Sequence, residues 1–324
     1  MARRRSKSKK IQPAVKKMFF SVPLSQDESK YNTNFIDLSQ CASIVNRRFY
    51  RQGLNWAVAG FRIHSRDTLG TVNVFKIQDT WMASNAWTKS FSLWNKMNAQ
   101  VLEEAPSVKP KYHDFKICMD VDHVAKITGA GDFNNLIPYN EDADGVQTEY
   151  TQGEWTRSLY EFPNYGGTPG NTVARTPRMH GAQDQGVSIG LIEGYAQSRS
   201  VPFSPDPDTQ NPSDGWMNNL FDDGDRYDDI MQNLEDIGDE LPYDQDLYPG
   251  GVTNATDPEL HGIGIISGTT IGGMTSIEGG TFQCGLIKIT NNCESSTGVT
   301  ALDLEVILVP GDHRGYLCES MLEV

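Results

Sequence analysis

The segment Gly186-Val187-Ser188-Ile189-Gly190 has the G-x-S-x-G pattern of a nucleophile elbow. In that motif a serine on a sharp strand-to-helix turn attacks a carbonyl, and a histidine takes its proton. Here the apolar run 187–196 reads as one strand with Ser188 inside it and no helix behind. His261 or His313 could stand as base, but six scattered histidines make such a coincidence cheap. Gly262-Ile-Gly264-Ile-Ile-Ser-Gly268 has neither the spacing nor the strand–helix setting of a dinucleotide loop. There is no HExxH, and no histidine pair has the spacing of helical zinc ligands. Five cysteines (Cys41, Cys118, Cys284, Cys293, Cys318) form no CxxC pair. They read as small buried hydrophobes, with a Cys284–Cys293 hairpin pair as the alternative. No set of groups for bond-breaking chemistry is assembled, so the expectation is a protein without a catalytic residue and without a resident cofactor.

What remains is electrostatic chemistry. The first 17 residues, MARRRSKSKKIQPAVKK, carry eight basic residues and no acidic one: Arg3, Arg4, Arg5, Lys7, Lys9, Lys10, Lys16 and Lys17. With nothing to bury, such a segment is expected to be disordered until it meets a polyanion, where each cation at a phosphate releases counterions. The same residues suit a nuclear-import signal. From Cys41 to Arg66 there is again no acidic residue, while Arg47, Arg48 and Arg51 stand beside Tyr50 and Trp56. Arginine interleaved with aromatic rings suits single-stranded nucleic acid, whose bases stack and whose phosphates pair.

The charge is divided along the chain. The net value of −14 combines 21 basic and 10 acidic residues in 1–126 with 7 basic and 32 acidic residues in 127–324. The extreme is 205–246, with 14 acidic residues and the single cation Arg226. This segment reads as a surface excursion of one or two short helices, placed away from any nucleic acid. If its carboxylates converge across a subunit contact, a structural divalent cation would relieve their repulsion. Asp222-Asp-Gly-Asp225 does not match the spacing of an EF-hand.

The elements that must carry these groups are mostly strands. Trp56–His64 alternates as a strand with Trp56, Val58, Gly60, Arg62 and His64 on one side, and 66–70 turns into a second strand at Val72–Ile77. Trp87, Phe91, Trp94 and Met97 recur at helical spacing, predicting a helix between Ser84 and Leu102 whose aromatic stripe packs on a sheet. Further strand-like segments are Tyr112–Met119, Trp155–Phe162, Val187–Ala196, Phe282–Thr290 and Ala301–Val309. Gly129–Gly153 and Asn164–Gln185 read as long loops. The pattern lacks the alternation of a βαβ fold. It predicts an all-β protein, a single jelly-roll sandwich over 18–324 with long loops and one or two short helices, preceded by a disordered basic arm over 1–17. No stretch reaches the roughly 20 apolar residues that span a bilayer, so no membrane insertion is expected.

Several phrases carry a resemblance: Phe49-Tyr-Arg-Gln-Gly53, Thr80-Trp-Met-Ala-Ser-Asn-Ala-Trp87, Phe91-Ser-Leu-Trp94-Asn-Lys-Met97-Asn, Lys111-Tyr-His-Asp-Phe-Lys-Ile117 and Gly190-Leu-Ile-Glu-Gly-Tyr-Ala-Gln-Ser-Arg199. Over roughly residues 1–200 the chain resembles capsid proteins of small circular single-stranded DNA viruses that encode a replication initiator. The resemblance implies a non-enzymatic shell subunit that assembles with identical copies into an icosahedral particle. It also implies an inward arm on a single-stranded DNA genome and passage through the host nucleus by way of an import receptor. The alternative is a cellular single-stranded nucleic-acid-binding protein with an acidic regulatory region.

Overall fold

The computed structural model describes residues 14–25, 31–65, 68–104, 114–163, 172–200, 249–267, 271–295 and 298–323. Eight strands build two facing antiparallel sheets: β1 (Lys17–Pro23), β2 (Asn32–Asp37), β3 (Leu54–His64), β4 (Thr68–Lys76), β5 (Glu259–Ile266), β6 (Met274–Phe282), β7 (Leu286–Asn291) and β8 (Ala301–Leu308). The order is β6-β3-β8-β1 in the first sheet and β5-β4-β7-β2 in the second. The chain alternates between sheets at every step except β4 to β5, which pair with each other. A hairpin, Tyr139–Glu141 with Gln147–Glu149, extends the first sheet beyond β1, and Cys318–Ser320 pairs with the start of β3. The protein is thus mainly strand with few helices, as its sequence predicts.

Period-two patterning drives this arrangement. In β1, Met18, Phe20 and Val22 point inward, and in β8 Leu302, Leu304, Val306 and Leu308 do the same. They meet Ile36, Val72, Val74, Ile287 and Ile289 of the second sheet in one core. Each such side chain, fully buried, contributes about 1.5–3 kcal/mol.

In β3 the alternation changes phase. Trp56 and Val58 are buried, but so are Phe61 and Ile63, while Arg62 is half-buried and His64 is exposed. The cause is a bulge: between Val58 and Gly60 the strand carries one more residue than β8. At the same level of β6, a Cβ on Gly279 would run into the Val58 carbonyl. Arg62 and His64 therefore lie on the opposite face from Trp56 and Val58, not on the same side as the simple alternation predicts.

Helices exceed the one or two short ones expected. They are α1 (Leu38–Asn46), α2 (Trp81–Glu104), α3 (Val121–Ala125) and α4 (Leu191–Ser200). Asp37 caps α1, accepting from the Ser39 and Gln40 amides at 2.9 and 3.3 Å. The long helix starts at Trp81, earlier than predicted, because the Thr80 hydroxyl reaches the Ala83 amide at 3.3 Å. Its aromatic stripe is core: Trp87 and Trp94 are buried, Trp87 stacks on Phe91 at 5.0 Å, and Trp94 meets Phe115 at 5.5 Å. This second core joins α2 and α4 to Phe35, Leu286 and Tyr160 at the side of the sandwich.

The remaining strand expectations are trimmed. From 114 to 119 the chain is irregular apart from a single bridge at Cys118, and 155–162 contributes a strand only from Tyr160. Phe282–Thr290 is broken by a turn at Gln283–Gly285, where Cys284 and Gly285 have φ of 56° and 67°. The two long loops hold the 139–149 hairpin and the strand Thr172–Arg178. The acidic segment 205–246 and residues 1–13 lie outside the described residues. Among the described residues no helix is long and apolar enough to cross a membrane.

Candidate nucleic-acid interface

The arm predicted from sequence enters the described structure at residue 14, and its last residues are fixed. The Val15 amide donates to Asn46 Oδ1 at 3.0 Å, and the Tyr316 hydroxyl donates to the Val15 carbonyl at 2.5 Å. Asn46 Nδ2 in turn donates to the Tyr316 hydroxyl at 2.7 Å. Asn46 ends α1, so the root of the arm is tied to the residue just before Arg47 and Arg48. Arg47 closes the helix in the left-handed region, φ 52°.

Arg47, Arg48 and Arg51 are all exposed, with the half-exposed ring of Phe49 between them. Arg314, far along the chain, joins them. It donates to the Phe49 carbonyl, and its guanidinium lies 5.9 Å from the Tyr50 ring. The Tyr50 hydroxyl donates back to the Arg314 carbonyl at 3.0 Å. Four exposed arginines and a reachable ring thus lie on or against the loop that follows Asn46, the residue that anchors the arm. Phosphates pair with such groups, and a base can stack on such a ring.

Buried polar bonds hold this loop in place. Gln52, fully buried, donates to Asp37 Oδ2 and to the Ile117 carbonyl at 3.1 Å each, and accepts from the Ile117 amide at 2.7 Å. Trp155 Nε1 donates to Asp37 Oδ2 at 2.8 Å. The Ser39 hydroxyl donates to the Arg51 carbonyl at 3.0 Å, and Ser43 Oγ accepts from the Tyr50 amide at 2.9 Å. Burial pushes the Asp37 carboxyl up to about 6, against four donors that pull it down. A Cβ at Gly53 would stand 2.5 Å from the Trp87 ring, so α2 closes the loop from the far side. Nothing marks Arg314 from sequence alone; only the fold brings it to the loop.

Not every predicted cation belongs to this interface. Arg3, Arg4, Arg5, Lys7, Lys9 and Lys10 lie outside the described residues. Lys16 is exposed beside the arm root, its carbonyl accepting from the Leu308 amide at 2.7 Å. Lys17 is the first residue of β1, not the end of a disordered arm, and its ammonium lies 2.7 Å from Glu305. Arg62 and His64 stand 3.6 Å from the same carboxylate. Burial raises the Glu305 carboxyl, but Lys17 and Arg62, with a hydrogen bond from His64, outweigh it and hold it below its usual range. The position of Lys17 is explained by this pairing on the outer face of the first sheet.

The elbow pattern has a different anatomy from the one expected. The strand ends at Gly190 and α4 begins at Leu191, so a helix does follow. Ser188 is nevertheless buried, its hydroxyl accepting from Arg178 Nε at 3.0 Å. His180 and His261 point their bonded nitrogens at the carbonyls of Ala255 and Glu278. All five cysteines are free and none pairs with another, and burial pushes the Cys293 thiol up to about 11. Among the described residues no three His, Cys, Asp or Glu side chains are placed to hold a metal ion. No protein-family model matches the chain, and comparison with curated proteins and with solved structures returns no match.

Proposed function

We propose that this chain is a viral shell subunit that packages single-stranded DNA. The observation that carries the reading is that the arm root is tied to Asn46, at the start of the loop that bears exposed Arg47, Arg48 and Arg51 and on which Arg314 docks. A shell subunit needs a genome-facing surface and a solvent-facing one, and the division of charge along the sequence supports that requirement. The strand orders β6-β3-β8-β1 and β5-β4-β7-β2, with the chain crossing between sheets, support a jelly roll built of two Greek keys. In this reading the protein is not an enzyme. Its partners are identical copies, the genome and a nuclear-import receptor that reads the basic arm, and its places are the virion and the host nucleus.

The test is direct. Expressed full-length protein, separated by size exclusion and viewed by negative-stain microscopy, forms closed particles with absorbance at 260 nm in excess of protein. Monomers that bind single-stranded oligonucleotides without forming particles would instead establish the cellular binding-protein reading.

A further inference from the structure

The strand β5 ends the second sheet, and the orientation of its backbone can be read residue by residue. Gly264 faces the core, since a Cβ there would stand 3.2 Å from both Ile63 and Ile277. Ile263 and Ile265 therefore project from the outer face, where they are 56% and 69% exposed. The N–H and C=O groups alternate in the same way. Thr71 of β4 turns both of its groups away from β5: its amide donates to Asn292 Oδ1 at 2.8 Å, and its carbonyl accepts from the Asn292 amide at 3.2 Å. Its neighbour Val72 then faces β5, directly opposite Gly264. Gly264 thus bonds to β4, and the N–H and C=O groups of Ile263 and Ile265 point to the other side. The Thr275 hydroxyl, on β6, donates to the Ile265 carbonyl at 3.2 Å from that side. Among the described residues no strand pairs with β5 along this edge.

Edge strands are ordinarily guarded by a charge, a proline or a bulge. From Leu260 to Ile277 the chain holds no Asp, Glu, Lys, Arg or Pro. His261 is turned aside, its Nε2 donating to the Glu278 carbonyl at 2.9 Å. Glu259, at the start of the strand, lies 3.7 Å from the Lys76 ammonium. A bulge between Leu260 and Gly262 interrupts only that end. Two copies that each carry a net charge of −14 repel one another, and this edge lets them meet without setting like charges face to face. The sequence Ile263-Gly264-Ile265 also reads the same in both directions. Antiparallel pairing about a two-fold axis at Gly264 sets Ile263 of one copy opposite Ile265 of the other. Both residues present their backbone groups to the partner, so each such pair exchanges two N–H···O=C bonds. The same register brings the isoleucine side chains of the two copies together on the outer face, as β-branched cross-strand pairs.

We propose that β5 pairs antiparallel with β5 of a second copy of this chain, in the register centred on Gly264, so that the two second sheets become one. The contact is isologous and closes on itself, which gives a dimer rather than an open fibre. The proposal does not depend on the shell reading, since such a dimer stands alone or serves as one contact among those of a shell.

Amide hydrogen exchange of the full chain at single-residue resolution tests it, with sedimentation velocity run on the same samples. The Gly264 amide, bonded to β4, should be protected in every sample. The Ile263 and Ile265 amides should exchange freely in dilute samples that sediment as monomer, and about tenfold more slowly or beyond in samples that sediment as dimer or larger. Ile263→Lys puts a charge at an exposed edge position; it should melt as the wild type does and lose both the association and the protection. Ile263→Lys/Ile265→Glu sets Lys opposite Glu in the proposed register and should restore both. Free exchange of Ile263 and Ile265 in associated samples overturns the proposal, as does a double variant that associates no better than Ile263→Lys. Protection of these amides in monomeric samples also overturns it, because a segment of the same chain then covers the edge. Closed particles in which both amides exchange freely would remove this contact and leave the shell reading standing, whereas dimers protected here that never form particles would do the reverse.

Discussion

Asp37 and His123 sit on opposite sides of the same pH range. Asp37 is fully buried at the end of β2, and its carboxyl titrates near 6 rather than 3.8. His123 is buried against Phe35 at a ring distance of 4.2 Å, accepting from the Met119 amide and donating to Asn135 Oδ1, and burial pushes it down to about 4. Between about pH 4 and 6 the folded protein holds the Asp37 proton more tightly than the unfolded chain does, so this group's contribution is lost as pH rises through that window. Between about pH 4 and 6.5 the unfolded chain protonates His123 and the folded one does not, so stability from this group is lost as pH falls. Each effect is about 3 kcal/mol, and they oppose one another. Asp37→Asn removes the first and leaves the second. Urea midpoints should therefore fall between pH 7 and pH 4 by more in Asp37→Asn than in the wild type, and by less, or even rise, in His123→Gln. Parallel pH profiles for all three proteins would refute the pairing. At the interface, Arg47→Ala, Arg48→Ala and Arg51→Ala combined should weaken single-stranded oligonucleotide binding and flatten its salt dependence. The expected change in slope is about 0.7 for each phosphate that the triple variant no longer neutralises. An unchanged slope would remove these arginines from the nucleic-acid surface.

The helix α2 is held by rings rather than by propensity. Trp87 and Trp94 are 3% and 9% exposed, and Phe115 bridges from Trp94 to Tyr160, whose hydroxyl donates to the Ser90 carbonyl at 2.6 Å. Trp87→Ala and Trp94→Ala should each destabilise the protein by about 3–5 kcal/mol, seen as a lower melting temperature or insoluble expression. Trp87→Phe should cost much less, because Trp87 Nε1 is buried without a hydrogen-bond partner among the described residues and its removal leaves nothing unpaired. A Trp87→Phe variant as unstable as Trp87→Ala would contradict that account. The periodicity of this helix is legible in the sequence because a one-sided apolar stripe admits few other folds. The bulge in β3 is not. A period-two reading carries Arg62 and His64 to the wrong face, since one extra residue leaves no mark in composition and is imposed by the register against β8. The short α1 is similarly hidden: its cap, Asp37, is also the last residue of a strand.

For the molecule as a whole, the boundary between arm and domain is testable. Deleting residues 1–13 should leave the melting temperature unchanged while sharply lowering the ratio of absorbance at 260 nm to 280 nm in assembled material. Deleting residues 1–17 should also lower the melting temperature, because it removes the Val15 anchor and the Lys17 partner of the buried Glu305 carboxylate. Equal stability of the two truncations would argue against the anchor, and full nucleic-acid content in either would argue against the arm. Alternation along the sequence identified a strand-rich protein and the charge count a basic end and an acidic remainder, because both are read from neighbours in the chain. Which cations share a surface was decided by folding. Arg314 joins Arg47, Arg48 and Arg51 through an approach between distant segments, while Lys17, adjacent to the arm in sequence, turns to Glu305 on the face of the first sheet. Charge is written locally, but a surface is a set of residues brought together by strand pairing, and only the register of that pairing assigns each side chain to a face.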